Sequence, residues 1–381
     1  MNHKDFSYIV VGSGLFGAVI AERIASQLQQ KVLVIEKRDH IGGNCHSAID
    51  EETGIEYHTY GTHIFHTSEE KVWQYINRFS SFNTYRHQVL SCYKNKIYQL
   101  PINLETINSY YNLNLKPFEV DAFLEKITKG EKSNPVNFEE KAISSIGGEL
   151  YEAFVRGYTV KQWQIDPKAL PAEIFSRLPV RKNYNENYYF DEWQGIPLNG
   201  YTHIFNNLLG HPNISVLLNT DFFSIKDTFD KDVTIIYSGP IDRYFDYKFG
   251  TLSWRTLHFE RKVFPVKDYQ GNAVINYPEE GIPYTRIHEP VHLHPERKYN
   301  TDKTVVFEEY SLPDNGANPY YPILTEENIK KLRQYKEYAA GFKNLFICGR
   351  LGEYKYYDMD KTISNALNLF ETRIKEAKRN Q

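Results

Sequence analysis

Cysteine and methionine are scarce, three and two in 381 residues. Cys45, Cys92 and Cys348 are an odd number scattered along the chain, which excludes a disulfide scaffold and a zinc knuckle and points to the reducing cytoplasm. An excess of cation is missing too. With 45 Lys+Arg against 48 Asp+Glu the formal net charge is -3, so no nucleic-acid partner is expected. Long apolar runs are absent as well: the most apolar stretch, residues 6–21, is interrupted by Gly12, Gly14 and Gly17 and closed by Glu22 and Arg23. That is too short and too glycine-rich for membrane insertion. No charged leader with a small-residue cleavage site is seen, so the mature chain is expected to start near Met1. What the sequence holds in excess is tyrosine, 30 residues. A biased composition, rich also in Asn, Lys, Ile and Phe, accounts for most of it. A site that uses phenols to stack and to donate to phosphate accounts for the rest.

The length suggests two to three domains, and 41% hydrophobic with 24% charged residues is a globular composition. A β-branched run at Tyr8–Val11 leads through a glycine turn into Ala18, Ile20, Ala21, Ile24 and Leu28 at helical spacing, and a second buried strand follows at Val32–Ile35. This β-α-β unit predicts a parallel sheet. Residues 103–188 change to helical periodicity, with helices expected over 118–127 and 139–155. Strands at 214–218 and 233–237 return to the sheet, 252–310 reads as an antiparallel layer, and 345–348 is a last buried strand before a closing helix over 362–374. The fold class is therefore α/β, a Rossmann-like parallel sheet with a helical insertion and an antiparallel β layer.

Gly12-Ser13-Gly14-Leu15-Phe16-Gly17 fits the dinucleotide fingerprint in its required strand-turn-helix context. The first glycine allows the tight turn, the second lets a pyrophosphate approach bare backbone, and Gly17 lets helix pack on strand. Glu36 stands 19 residues beyond Gly17, where a carboxylate accepts hydrogen bonds from a ribose diol. The segment Glu36-Lys37-Arg38-Asp39-His40-Ile41-Gly42-Gly43-Asn44 resembles the second glycine element of the flavoproteins built on the glutathione-reductase-like domain. Cys348-Gly349-Arg350 resembles that superfamily's returning strand. FAD is thus favoured over NAD, with Gly12, Ser13, Gly14, Phe16, Gly17, Glu36, Lys37, Arg38, Gly42, Gly43, Asn44, Gly349 and Arg350 as cofactor residues. The expected flavin domain is discontinuous, over 1–85, 200–250 and 340–381. The helical insertion with a lid covers 100–190, and the antiparallel domain 86–99 and 251–320.

The resemblance then narrows. Tyr60-Gly61-Thr62-His63-Ile64-Phe65-His66-Thr67, Gly157-Tyr158-Thr159-Val160-Lys161-Gln162-Trp163, Pro283-Tyr284-Thr285-Arg286 and Glu353-Tyr354-Lys355-Tyr356-Tyr357-Asp358-Met359 together resemble UDP-galactopyranose mutase, in the family's order over nearly the whole chain. The resemblance implies an isomerase that interconverts UDP-galactopyranose and UDP-galactofuranose without net redox, through a covalent adduct between the sugar and N5 of reduced FAD, the reductant, such as NAD(P)H, coming from outside. It implies a UDP-sugar as substrate, a homodimer, and a product feeding surface polysaccharide. By the same resemblance Arg177 and Arg286 bind the diphosphate and compensate the departing charge. Tyr188, Tyr321 and Tyr356 contact phosphate, and Tyr158 stacks on uracil with Thr159 nearby. Trp163 begins the lid, Asn83, Asn276 and Asp358 contact substrate, and His63 sits beside the flavin. Ile64, Tyr357, Asp358 and Met359 complete the cofactor set.

Four residues depart from the family's pattern, Asn199 and Ser238 in a small way and Gln164 and Thr62 more plainly. Gln164 follows Trp163 where glycine is expected, implying a stiffer hinge, and Thr62 stands where alanine or proline is usual. The histidine trios 58/63/66 and 288/292/294 lack the partners of a metalloenzyme, and no metal is expected. An FAD-dependent oxidoreductase acting on a nucleotide sugar, a mutase preferring UDP-N-acetylgalactosamine, and a non-catalytic nucleotide-sugar binder remain as alternatives.

Overall fold

A computed structural model describes residues 5–131, 134–316 and 318–376, without the side chains of Ser176 and Arg177. Five parallel strands form one sheet in the order Leu345–Ile347, Thr234–Tyr237, Tyr8–Val11, Val32–Ile35, Ile214–Leu217. These strands are apolar without alternation because both faces are covered. Val10, Val34 and Ile236 pack with the helices Leu15–Gln27, Tyr201–Leu209 and Met359–Leu369, while Ile9, Leu33 and Ile35 meet Phe222 and Tyr237 on the other face.

A second sheet has seven strands, in the order Tyr321–Pro322, Trp254–Phe264, Thr304–Pro313, Arg286–His288, Val274–Asn276, Val89–Tyr93, Lys96–Leu100. It is not wholly antiparallel. Val274–Asn276 runs parallel to Val89–Tyr93, since a chain this long between the two can cross over before pairing. The helical insertion has its own core around Leu104, Phe138, Leu150 and Phe154. The helix expected over 139–155 is broken: Phe138–Ile146 ends at Gly147, whose φ of 78° is open to glycine, and a π-helical turn spans Tyr151–Arg156. That turn leads directly into the helix Gly157–Trp163.

Candidate functional site

The first glycine turn is tight because side chains have no room there. A Cβ on Gly12, at φ 101°, would meet Ser238 Oγ at 2.3 Å, and one on Gly17 would lie 2.0 Å from the Gly12 carbonyl. The second glycine pair faces the first: Gly14 bridges Gly42, and a Cβ on Gly43 would stand 2.9 Å from Gly14 Cα. Glu36 is held in place by its own neighbours. Its Oε2 accepts from Ser13 N at 2.9 Å and Ser13 Oγ at 2.8 Å, and its Oε1 from Arg38 N at 3.0 Å. Arg38 lies over the Tyr60 ring at 4.2 Å and donates to Asn44 at 3.0 Å. Opposing bare-backbone turns beside a fixed carboxylate fit the pyrophosphate and ribose of FAD. Ser13 and Gly17 thus act behind the wall rather than on it.

A single cavity of about 1340 Å³ begins at this cradle and extends to the helix Gly157–Trp163. Its lining includes Lys37, His63, Ile64, Gly349, Arg350, Tyr357 and Met359. His63 Nδ1 donates to the Gly61 carbonyl at 2.6 Å, so in the neutral ring Nε2 is the acceptor. Burial, with the charge of Arg350, draws the His63 pKa down to about 4, against the pull of that carbonyl. Arg350 is fixed by the Tyr320 carbonyl at 2.8 Å and lies over the Tyr356 ring at 5.0 Å.

The far end is built by strand register. Arg286 lies opposite both Asn276 and Glu309, so the three side chains form one row on one face of the second sheet. Glu309 is 2% exposed and Arg286 Nε sits 3.0 Å from its Oε1, an ion-pair distance without hydrogen-bond alignment. A polarised chain continues from Glu309 along the cavity lining: the Thr62 hydroxyl donates to His288 Nδ1 at 2.7 Å, and His288 Nε2 donates to Glu309 Oε2 at 2.9 Å. Burial would raise the Glu309 carboxyl, but the Arg286 charge and the His288 hydrogen bond hold it at about 2. Burial opposes the Arg286 charge and Glu309 more than compensates, keeping its pKa above normal. The Asn276 amide oxygen is buried with no hydrogen-bond partner among the described residues, an acceptor available to a ligand.

Tyr158, Thr159, Trp163, Tyr188, Tyr321, Tyr356 and Asp358 all line this end. Burial raises the phenol pKa of Tyr158, Tyr188, Tyr321 and Tyr356, so each stays a proton donor. Arg286 lies 5.8 Å from the Tyr158 ring centre. One expected residue, Asn83, does not line this wall. Asn83 is consumed within the fold: its amide donates to the Leu293 carbonyl at 3.0 Å and to Glu296, and its oxygen accepts from Ile196 N at 2.8 Å. The Arg177 side chain lies outside the described residues.

Glu309 and His288 were not among the expected site residues. The sequence does carry a signal for the first. Adjacent Glu308 and Glu309 in a strand must face opposite ways, so one of them points inward. The trio 288/292/294 does not converge. His288 meets Glu309, His292 meets Asp268 and Glu289, and His294 meets Glu296.

A family model for UDP-galactopyranose mutase matches residues 153–356, and one for an NAD(P)-binding Rossmann-like domain matches residues 10–79. An Escherichia coli protein named dTDP-fucopyranose mutase is 40% identical over 97% of this chain and 99% of its own. A Klebsiella pneumoniae protein described as a probable UDP-galactopyranose mutase is 42% identical over 96% of this chain and 94% of its own. A solved structure of reduced UDP-galactopyranose mutase shares the fold, with a TM-score of 0.72 over 95% of this chain and 92% of that one at 14% identity.

Proposed function

The chain belongs to the UDP-galactopyranose mutase family, and on that footing we propose that it interconverts UDP-galactopyranose and UDP-galactofuranose with reduced FAD and no net oxidation. The observation that carries this reading is the row of Asn276, Arg286 and Glu309 at one end of the same cavity whose other end is the glycine cradle. Bound and reduced, FAD supplies a nucleophilic ring nitrogen for the anomeric carbon. The protein's own part is to hold and to compensate. Arg286, pinned by Glu309 and paired in this role with Arg177, meets the negative charge that gathers on the departing diphosphate. Tyr188, Tyr321 and Tyr356 add phenol donors, Tyr158 stacks on the base, and the Asn276 oxygen accepts from a sugar or ribose hydroxyl. Neutral His63 offers an acceptor nitrogen on the cavity wall, the form suited to a ring N–H. The helix that Trp163 ends is the start of the lid that keeps water from the activated sugar.

The rest of the reading is an outside reductant such as NAD(P)H, a homodimer, and a place in the cytoplasm, with the cradle, the helical insertion and the second sheet as three domains. Among the described residues no helix is long and apolar enough to cross a membrane. The near-equal identity to a protein named dTDP-fucopyranose mutase favours one second reading, a thymidine-linked 6-deoxy sugar as substrate. The test is anaerobic incubation of the dithionite-reduced enzyme with each nucleotide sugar. A furanose product with the flavin still reduced is the expected result. Stoichiometric oxidised sugar would instead make the chain an oxidoreductase, and tight UDP binding without any product would make it a binding protein.

A further inference from the structure

Lys161 lies within the helix that carries Tyr158, yet its ammonium has no carboxylate partner within ion-pair distance among the described residues. It is sunk instead into the backbone of the loop 277–285. Its Nζ donates to the carbonyls of Glu279 at 3.0 Å, Ile282 at 2.9 Å and Tyr284 at 2.9 Å, and to that of Tyr277. An ammonium has three protons in a tetrahedral spread, so four converging carbonyls use all of them. Few other side chains serve such a cage. A guanidinium is planar and its donors diverge, while a neutral amide has only two.

The loop so held is the connection between two site residues. Asn276 ends the strand before it, and Arg286 begins the strand after it. Two further features press the same helix on the same loop. A Cβ on Gly157 would lie 2.1 Å from the Pro278 carbonyl, so the helix backbone can approach because that residue is glycine. Arg156 pairs with Glu280.

We propose that Lys161 is a positioning residue that locks the Tyr158 helix to the Asn276–Arg286 hairpin, so that the group stacking on the base and the group gripping the diphosphate keep a fixed separation. The inference rests on the reading of this end as the nucleotide site. Without the ammonium, the carbonyls of the loop turn to water and the hairpin loosens. Ligand then has to order both elements on binding, which weakens affinity more than the chemical step.

The experiment uses flavin-loaded enzyme and the variants Lys161→Met and Lys161→Arg. Lys161→Met keeps the stem and loses the charge. Three quantities are read: UDP affinity of the oxidised enzyme, KM and kcat of the reduced enzyme, and amide exchange over 157–163 and 277–285. The expected result for both variants is flavin content as in the parent, UDP affinity weakened at least tenfold, KM raised more than kcat is lowered, and faster exchange in both segments together. Should either variant fail to fold, Lys161→Ala is assayed with and without n-propylammonium, which refills stem and charge and is expected to restore UDP affinity, while n-propanol is not. Parent-like UDP affinity in Lys161→Met, or no response of Lys161→Ala to the amine, would overturn the proposal. A parent enzyme that binds no UDP would instead sink the functional reading. In that case coupled loss of protection in the two segments still reports the lock, and independent loss refutes it.

Discussion

The two ends of the cavity are built by different means. The cradle is made of backbone: two glycine turns, a helix N-terminus and one carboxylate, drawn almost wholly from residues 12–44. The far end is made of side chains from at least five separated segments, brought together by strand register and by burying charges against each other. A backbone site fails when space is taken away, whereas a side-chain site fails when a partner is removed. The largest expected effect is therefore steric and lies in the cradle. Gly17→Val places a Cβ 2.0 Å from the Gly12 carbonyl, and protein purified from this variant is expected to carry no flavin absorbance. A variant with full flavin content would show that the cradle can shift and that the contrast is overdrawn.

At the other end the expected losses are chemical and leave the cofactor in place. Arg286→Ala should keep its flavin and lose roughly two to three powers of ten in turnover, the range for removing one preorganised donor to a developing anion. Glu309→Gln is isosteric and should cost less, about tenfold in kcat/KM, because Arg286 remains but loses the anion that aims it. Steady-state rates with flavin content measured in parallel decide both. If Glu309→Gln proves as severe as Arg286→Ala, the carboxylate does more than orient, and the row acts as a unit.

The same contrast explains what could be read in advance. The cradle was legible because its spacing is local: turn, helix, strand and terminal acid follow within about thirty residues and each constrains the next. The antiparallel layer was legible as strands but not in its order, since nothing local says that Val274–Asn276 lies beside Val89–Tyr93. Arg286 and the phenols came only from family resemblance. By pattern alone, an arginine after Pro283-Tyr284-Thr285 is a surface charge. Glu309 escaped because its meaning lies in a residue 23 positions earlier in the chain, across a strand pair. Asn83 shows the converse case. An amide that fits a motif is used up inside the fold by Leu293, Glu296 and Ile196.

Acid should separate the two ends next. His87, buried on the cavity wall, is drawn to about 3 and His63 to about 4, chiefly by burial, and His288 is lowered for the same reason although Glu309 resists it. Between those values and the ordinary 6.5, the unfolded chain binds protons that the folded chain refuses. Stability therefore rises with pH across this window and falls on acidification through it. Glu309, held at about 2 against an ordinary 4.5, adds stability that is present above 4.5 and lost below it. Urea midpoints of the flavin-loaded protein should drop from pH 7 to pH 4, and His87→Gln should flatten that slope. A midpoint independent of pH over this range would mean that the imidazoles are reached by water in the folded state.

The smallest effect belongs to the residue that ends the helix at the far end of the cavity. Gln164 caps the helix Gly157–Trp163 with a φ of 51°, a conformation that costs a residue with a Cβ about 1–2 kcal/mol and glycine little. Its side chain offsets that strain by accepting from Arg255 Nη1 at 3.0 Å and donating to the Ser311 carbonyl at 3.0 Å. Gln164→Gly removes the strain and the two hydrogen bonds together, the latter worth about 1 kcal/mol each, so the net change in stability should lie within about 1 kcal/mol of zero. What changes is freedom. The segment after Trp163 is no longer tied to the second sheet, and amide exchange over 164–171 should rise while exchange in the cradle stays as it was. Turnover should shift by only a few-fold, upward if this segment acts as the proposed lid and its opening limits product release, downward if its closure does. A loss of stability well beyond 1 kcal/mol would identify Gln164 as a structural tie between the helix and the second sheet, and the stiffness of the hinge would then reside in Arg255 and Ser311 rather than in the backbone at this position.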